Sequence, residues 1–399
     1  MTQHLSLLNR NLIVLIGCQM VFVAGSSMMV TMGGIVGSRL APFPELATLP
    51  VSLAVVGTAF GTLPATRSMQ HFGRRVGFTA AALLAVVASA LAFSGLHFQL
   101  FWLYCVGTAT TGFCLAFSQQ FRFAATESVP VHQAGQAVSI ILLGSVGGAI
   151  IGPELVARSE QILQGAGFGG AILAAGSLFA LAALLLQGLR IPRPKSHRET
   201  SNEDTRGLRA LFSEPLFVLA IAAGVIGQGV MTFIMTATPV SMHVVDGHSL
   251  SATAAVIRAH VLAMYLPSLA SGLLISQFGE RMLIAMGVLA YLASLAIGLS
   301  GQAVMHYGAA LVLLGIGWNF MFVGGTTLLV KTYRPSERFL AQGVNEAAVF
   351  GTSALGSLLA GTLLTSIGWS AVVLSTLPVV LLIGVAVWQL RQRPLPQLT

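Results

Sequence analysis

Long apolar runs, separated by short polar breaks, constrain this chain more than any other feature of its sequence. Of its 399 residues, 55% are hydrophobic and only 8% are charged, whereas about a quarter of the residues in a soluble domain are charged. The runs are long enough to cross a bilayer as helices of about 20 residues. A transmembrane β-barrel would instead show short alternating segments, which this sequence lacks. The sequence therefore predicts an all-α membrane protein with many transmembrane helices.

The runs predict twelve transmembrane helices in two pseudo-symmetric six-helix bundles. The longest polar break, 190–214, contains two prolines and a mixed-charge cluster, a composition typical of a linker. We therefore predict an N-terminal half over 1–189, a cytoplasmic linker over 190–214 and a C-terminal half over 215–399. The helices are predicted near 11–36, 45–69, 77–95, 98–125, 133–156, 166–188, 215–239, 250–277, 282–301, 304–332, 338–365 and 368–390.

The net charge of +8 is explained by membrane orientation rather than by nucleic-acid binding. If the N-terminus is cytoplasmic, seventeen of the twenty Lys and Arg residues fall on the cytoplasmic side, and only Arg39, Arg158 and Arg258 fall outside. Because cytoplasmic loops carry an excess of Lys and Arg, we predict that both termini are cytoplasmic. The three cysteines all lie within apolar runs, so we predict no disulfide framework, no metal site and no bound cofactor.

The two halves repeat weakly at a nearly constant offset. Phe72-Gly73 and Phe278-Gly279 each follow an apolar run, and 278 − 72 = 206 positions separate them. Such a shared offset of half the chain is typical of duplicated transporter halves. The other matched pairs are Gly112 with Gly317 (205), Pro130 with Pro335 (205) and Val138 with Val344 (206).

The polar turn between the second and third predicted helices carries a recognisable motif. Residues 66–75 read Thr-Arg-Ser-Met-Gln-His-Phe-Gly-Arg-Arg, which resembles the Gly-x-x-x-Asp-Arg-x-Gly-Arg-Arg loop of the major facilitator superfamily. Gln70 stands where the family has its aspartate. The resemblance covers essentially the whole chain and implies the fold of a secondary transporter. It also implies a gating role at the cytoplasmic loops for Gln70, Gly73, Arg74, Arg75, Gly279 and Arg281.

The fifth predicted helix carries Gly144, Gly148 and Gly152 at four-residue spacing, followed by Pro153. Small residues at this spacing allow another helix to pack closely, and proline can bend the helix. The pattern is similar to a motif of proton antiporters in the family, although tight packing alone also explains it. Those antiporters carry an arginine inside the fourth helix. Here its core has none, and Arg122 lies near the cytoplasmic end.

Several polar and aromatic residues are predicted at the depth where such transporters bind their solute. Asn319 lies twelve residues from Lys331, or about 18 Å along a helix, which is close to mid-bilayer. Alternatively, the aromatic neighbours of Asn319 face lipid and Asn319 bridges two helices. The predicted substrate-binding set is Trp318, Asn319, Phe320, Asn345, Tyr265, Gln119 and Gln228.

Two titratable residues are predicted to couple transport to protons. Glu346 lies eight residues beyond Arg338, or about 12 Å along the helix, and a carboxyl group at membrane depth is costly unless it is paired or protonated. The alternative is that Glu346 pairs with Arg122 as a gate. An unperturbed histidine titrates near neutral pH, which makes His260 a candidate, but a histidine there also serves as a hydrogen-bonding anchor.

An aromatic and amide lining without mid-membrane Lys or Arg suits a flat solute that is neutral or weakly charged. The Gly317–Phe320 run and the Asn345-Glu346 pair resemble bacterial transporters of the riboflavin type. We therefore predict a proton-coupled secondary transporter, active as a monomer in the cell inner membrane, and not an enzyme, because no paired nucleophile and base is evident at membrane depth. Its partners would be a small-molecule substrate, protons and the lipid bilayer. Efflux by proton antiport and a non-transporting membrane sensor are the alternatives.

Overall fold

The computed structural model describes residues 9–43, 46, 49–162, 168–191 and 206–395. These residues form helices and turns, and no β-strand occurs among them. The α-helices of the described residues are, in chain order, α1 (Arg10–Leu40), α2 (Leu49–Phe72), α3 (Arg74–His97), α4 (Phe101–Ser118), α5 (Phe121–Thr126), α6 (Ala134–Ile162), α7 (Phe168–Leu185), α8 (Leu208–Phe212), α9 (Pro215–Pro239), α10 (Leu250–Tyr265), α11 (Ser268–Phe278), α12 (Glu280–Ser300), α13 (Val304–Val330), α14 (Arg338–Ser375) and α15 (Leu377–Leu390).

The predicted all-α membrane fold is confirmed. In the described part of the chain, eleven helical spans are long and apolar enough to cross a bilayer. The predicted helix at 338–365 lies within α14. This segment is not one of the eleven spans, and some of its side chains lie outside the described set. Gly368, with φ 78°, breaks the regular helix inside α14, where the sequence predicts that the last transmembrane helix begins.

Two predicted helices are interrupted, the fourth near its end and the eighth near its middle. The fourth consists of α4 and α5, separated at Gln119 and Gln120, and the eighth consists of α10 and α11, separated at Leu266 and Pro267. Pro267 has no backbone N–H to donate to the preceding turn, and its ring crowds the carbonyl four residues earlier, which accounts for the second break.

Side chains and glycines fix several helix ends. The Asn9 side chain accepts a hydrogen bond of 2.9 Å from the backbone of Leu12 and so caps α1. The turns before α3 and α12 use Gly73 (φ 86°) and Gly279 (φ 82°), a left-handed conformation that glycine adopts without steric cost. The repeated Phe-Gly pairs therefore form the same backbone turn, which is why both positions carry glycine.

The chain separates into two compact units. The first comprises 1–129 and 141–202, and the second comprises 130–140 and 203–399. The predicted division at 190–214 stays a prediction, since residues 192–205 lie outside the described set.

In the first unit, α6 packs closely against α1. A methyl group added at Gly148 would lie 2.4 Å from the carbonyl oxygen of Met20, and one at Gly144 would lie 2.9 Å from that of Ile16. Gly152 approaches Ala24 in the same way, at 2.7 Å. The four-residue spacing therefore places one smooth stripe of α6 directly on the backbone of α1. The side chain of Pro153 lies outside the described set.

Candidate functional site

An aromatic and amide cluster lies inside the second unit, where α9, α10 and α13 meet. The indole N–H of Trp318 donates a 2.7 Å hydrogen bond to Oε1 of Gln228. The ring of Phe322 stacks on Trp318 with centroids 4.7 Å apart, and Tyr265 meets Trp318 edge-on at 5.9 Å. Trp318 is only 5% exposed. The cluster thus presents flat apolar rings whose orientation is fixed by an amide hydrogen bond.

A chain of polar contacts continues from this cluster to α14. Nε2 of Gln228 donates to the Thr232 hydroxyl at 3.3 Å, and that hydroxyl lies 2.8 Å from the hydroxyl of Ser353. Sequence reasoning did not select Thr232, Ser353 or Phe322. The four-residue spacing from Gln228 to Thr232, and from Trp318 to Phe322, is the signal that indicates a shared helix face.

Asn319 forms a bridge between helices. Its amide nitrogen donates to the Met264 carbonyl and to the Ser268 hydroxyl, both at 2.7 Å, and its oxygen accepts from the Ser271 hydroxyl at 2.6 Å. This arrangement joins α13 to the break between α10 and α11, as in the alternative interpretation of its sequence. Phe320 is half-buried and lies two residues from Trp318, which places it on a different helix face. A substrate-binding role for Asn319 and Phe320 stays a prediction.

Glu346 is fully buried in α14 and accepts a 2.9 Å hydrogen bond from the neighbouring amide of Asn345. Asn345 lies close to α9, because a methyl group added at Gly224 would be 3.5 Å from its Oδ1 atom. Burial disfavours the charged form of a carboxyl group, whereas a hydrogen bond donated to the carboxylate favours it. Arg122, the alternative partner of Glu346, belongs to the first unit, and that pairing stays a prediction.

His260 is fully buried between α10 and α13. Its Nδ1 atom lies 2.7 Å from the Leu311 carbonyl oxygen; a carbonyl only accepts, so Nδ1 carries the proton. Nε2 has no hydrogen-bond partner among the described residues. His260 therefore anchors two helices through one nitrogen and keeps an acceptor on the other.

In the first unit, the turn at Gly73 leads into a buried ion pair. Arg74 is 2% exposed and binds Glu127 through two contacts, Nη2 to Oε1 at 2.6 Å and Nε to Oε2 at 3.3 Å. Nη1 of Arg74 also donates to Gln120 at 3.1 Å. Gln70 is half-buried in the last turn of α2, so the carboxylate that pairs with this loop comes from the end of α5. Sequence reasoning assigned no role to Glu127.

The second unit has an ion pair of reversed polarity at the matching place. Glu280, the first residue of α12, pairs with Lys331 just after α13. The neighbouring Arg281 donates hydrogen bonds to the carbonyl oxygens of Leu390 (2.8 Å) and Arg393 (2.5 Å). These bonds satisfy backbone carbonyl groups at and just beyond the end of α15.

Another ionic cluster of the second unit lies near the start of α14. The carboxylate of Glu337 accepts from the Arg206 side chain at 2.7 and 2.8 Å and from the backbone N–H groups of Arg206 and Arg334. Burial raises the pKa of Glu337, but these hydrogen bonds outweigh it, so its pKa lies below its ordinary value.

Two further predicted residues lie apart from the aromatic cluster. Arg75 is exposed and donates a 2.9 Å hydrogen bond to Gln187, and Gln119 is half-buried at the end of α4 in the first unit. Among the described residues, no group of three or more His, Cys, Asp or Glu side chains is arranged to hold a metal ion.

Comparison with known proteins agrees with this architecture. The sequence model of the Major Facilitator Superfamily matches residues 14–323 and 247–399. Riboflavin transporter RfnT of Brucella anthropi is 38% identical over 374 residues, covering 94% of each chain. The crystal structure of a variant of the Escherichia coli fucose:proton symporter superimposes with TM-score 0.74 at 14% identity, covering 96% of this chain and 98% of the symporter. A human organic anion transporter, MFSD10, gives TM-score 0.74 at 13% identity, covering 95% and 99%.

Proposed function

We propose that this chain, which belongs to the major facilitator superfamily, carries a flat organic solute that is neutral or weakly charged. Membership of this family makes the protein a multi-pass membrane transporter rather than an enzyme. Riboflavin is the first candidate. The observation that carries this proposal is the aromatic and amide cluster of Trp318, Phe322, Tyr265 and Gln228 in the second unit. A planar heterocycle can stack on such rings, and amides can satisfy its polar edge.

The relative from Brucella anthropi supports the same substrate class. That protein is a riboflavin transporter, and at 38% identity it matches almost the full length of both chains. The solved structures are far less similar in sequence, so they support the fold and not the substrate. Riboflavin has a flat ring system and no formal charge, which agrees with a cluster built from three aromatic rings and an amide.

We propose that Glu346 carries the coupling proton. It is a buried carboxyl group inside α14, in the segment 338–365 that the sequence predicts to cross the membrane, and acids at membrane depth are functional candidates by default. Protonation would remove the cost of a buried charge, while the Asn345 amide is neutral in both states, so the two protonation states of Glu346 differ in local electrostatics. His260, with one nitrogen committed to Leu311, is the second candidate.

We further propose alternating access by the two halves, 1–189 and 215–399, joined by 190–214, with both termini in the cytoplasm of a cell whose inner membrane holds the protein as a monomer. Family membership and the charge asymmetry support this orientation. Fluorescent-protein fusions at the C-terminus test the orientation, and light scattering of purified protein tests the oligomeric state.

Uptake of radiolabelled riboflavin into proteoliposomes that contain purified protein tests the substrate. We expect Trp318→Ala to weaken riboflavin binding about tenfold, the loss of one stacking partner, while Trp102→Ala is the matched control because Trp102 is 62% exposed in the first unit. No saturable riboflavin flux in either direction, together with flux of unrelated toxic compounds, would favour efflux. Riboflavin binding without any flux would favour the sensor.

An imposed proton gradient tests the coupling. We expect Glu346→Gln to retain exchange of riboflavin across the membrane but to lose accumulation driven by the gradient, because glutamine cannot release a proton. Glu154→Gln, at an exposed position of α6, is the control. Gradient-driven accumulation that survives in Glu346→Gln would show that another group carries the proton.

A further inference from the structure

A groove at one end of the first unit lies apart from the residues proposed to bind the solute and the coupling proton. It has a volume of about 670 Å³ and runs between the start of α3 and the short 3₁₀ helix Leu186–Gly188 that follows α7. Its lining combines cations with apolar side chains. The lining residues include Arg75, Val76, Ala80, Leu83, Gln187 and Arg190.

Of the two exposed arginines of this groove, Arg75 is held through its side chain and Arg190 through its backbone. Gln187 accepts from Nη2 of Arg75 at 2.9 Å, and the Gln187 amide nitrogen in turn donates to Thr79 (3.3 Å) and to the Ala183 carbonyl (2.9 Å). The backbone of Arg190 is fixed on both sides by the Asn11 amide, at 2.8 and 3.1 Å. Because the Arg75 side chain is already positioned, it loses less side-chain entropy when it binds an anion.

The charge around the groove is one-sided. Arg74 also lines it but is bound to Glu127. Arg10 adds a further cation nearby, since its Nη2 atom would lie 3.9 Å from a methyl group at Gly188. Of the residues that the structure describes, no acidic one lines the groove. An anion is therefore the complementary ligand, and arginine pairs well with phosphate oxygens.

The apolar part of the groove continues along the membrane-spanning surface. Val76, Ala80, Leu83 and Val87 follow one another at the spacing of one helix face; Val76 is 43% exposed, Leu83 55% and Val87 52%. All four lie in the span 74–97, and on the other side the groove lining runs from Gln187, at the end of the span 168–188, to Ile191 just beyond it. The cations thus lie at the membrane boundary, above an exposed apolar stripe.

We propose that this groove binds an anionic phospholipid, with the phosphate at Arg75 and Arg190 and an acyl chain along the Val76–Val87 stripe of α3. A soluble phosphate would use the cations but not the apolar stripe, whereas a phospholipid uses both. Under the proposed orientation, the bound phospholipid belongs to the cytoplasmic leaflet. The site itself does not depend on that orientation or on the transported solute.

Native mass spectrometry of the full-length protein, titrated in detergent with phosphatidylglycerol or with phosphatidylcholine of the same acyl chains, tests the site. The double variant Arg75→Gln/Arg190→Gln removes both cations. The matched control Arg67→Gln/Arg209→Gln removes the same charge from exposed positions outside the groove. Because each arginine near anionic lipid changes affinity about fivefold, we expect about 25-fold weaker phosphatidylglycerol binding in the first variant and less than about twofold change in the control.

A second readout guards against misfolding. Phosphatidylglycerol should raise the apparent unfolding temperature of the wild type and of the control, but not that of the groove variant, whose lipid-free unfolding temperature should equal that of the wild type. Equal binding of both lipids by the wild type would overturn the proposal, as would equal losses in the two variants. Displacement of the lipid by millimolar inorganic phosphate would indicate a site for soluble anions instead.

Discussion

Replacing Glu127 by glutamine should destabilise the first unit strongly, because it removes the carboxylate bound by a buried arginine. The Arg74 side chain is 1% exposed and that of Glu127 is 13% exposed. Arg74 is also the first residue of α3, where the helix dipole is unfavourable for a cation. In the variant, the Arg74 guanidinium would keep its charge in a buried site that no longer contains the Glu127 carboxylate.

The size of this effect follows from the burial of the pair. Removing one partner of a buried ion pair costs about 3–5 kcal/mol, and a glutamine that keeps one hydrogen bond restores about 1 kcal/mol. We therefore expect a loss of about 2–4 kcal/mol. For an unfolding unit of about 150–250 residues, this corresponds to a decrease of roughly 5–15 °C in unfolding temperature.

Thermal unfolding of the purified variants in one detergent measures the effect. Glu214→Gln is the control, because the side chains of Glu214 and Arg393 are separated by 4.0 Å and that of Arg393 is 49% exposed. This variant should change the free energy of unfolding by less than about 1 kcal/mol. The double variant Arg74→Met/Glu127→Leu, which removes both charges, should be more stable than Glu127→Gln alone.

Two results would refute this reasoning. If Glu127→Gln unfolds within about 2 °C of the wild type, the ion pair does not stabilise the first unit. If the double variant is as unstable as Glu127→Gln, the loss comes from packing and not from an uncompensated charge.

Three further predictions concern single contacts. Gly148→Leu should cost more than about 3 kcal/mol in thermal unfolding, because even a methyl group would lie 2.4 Å from a backbone carbonyl; Gly147→Ala, which meets only a flexible Met20 side chain, should cost less. Tyr291→Phe should cost about 1 kcal/mol by the same assay, since it removes a buried 2.6 Å hydrogen bond. Glu337→Gln should flatten the loss of stability measured as pH falls below about 4.5, because the pKa of Glu337 is lowered in the folded state.

The sign of the pH effect follows from linkage. A carboxyl group with a lowered folded-state pKa stabilises the fold fully above its unfolded pKa, and this stabilisation is lost as pH falls through the folded pKa. An unchanged acid-side slope in Glu337→Gln would contradict the assignment. Equal destabilisation by Gly148→Leu and Gly147→Ala would contradict the close approach of α6 to α1, and an unaltered unfolding temperature in Tyr291→Phe would show that its hydrogen bond contributes nothing.

The positions of the helices could be predicted from the sequence because the bilayer imposes them. A chain in hydrocarbon must satisfy its backbone within each segment, so every long apolar run becomes a helix, and the polar turns mark the ends. Gly73 and Gly279 could likewise be matched as equivalent turns, since both lie between apolar runs at a constant offset, and both have positive φ. The stripe of Gly144, Gly148 and Gly152 could be identified as a packing surface from its spacing alone.

The neighbours of each polar side chain were decided only by the tertiary structure. Most of these helices are apolar on all sides, so hydrophobic periodicity does not distinguish the face that packs inward from the face that meets lipid. The sequence grouped Trp318, Asn319 and Phe320 because they are consecutive, whereas the fold pairs Trp318 with Gln228 and Phe322 and commits Asn319 to Ser268 and Ser271. In a membrane protein, length and polarity fix where a helix lies along the chain, but its rotation and partners depend on the close packing of distant segments.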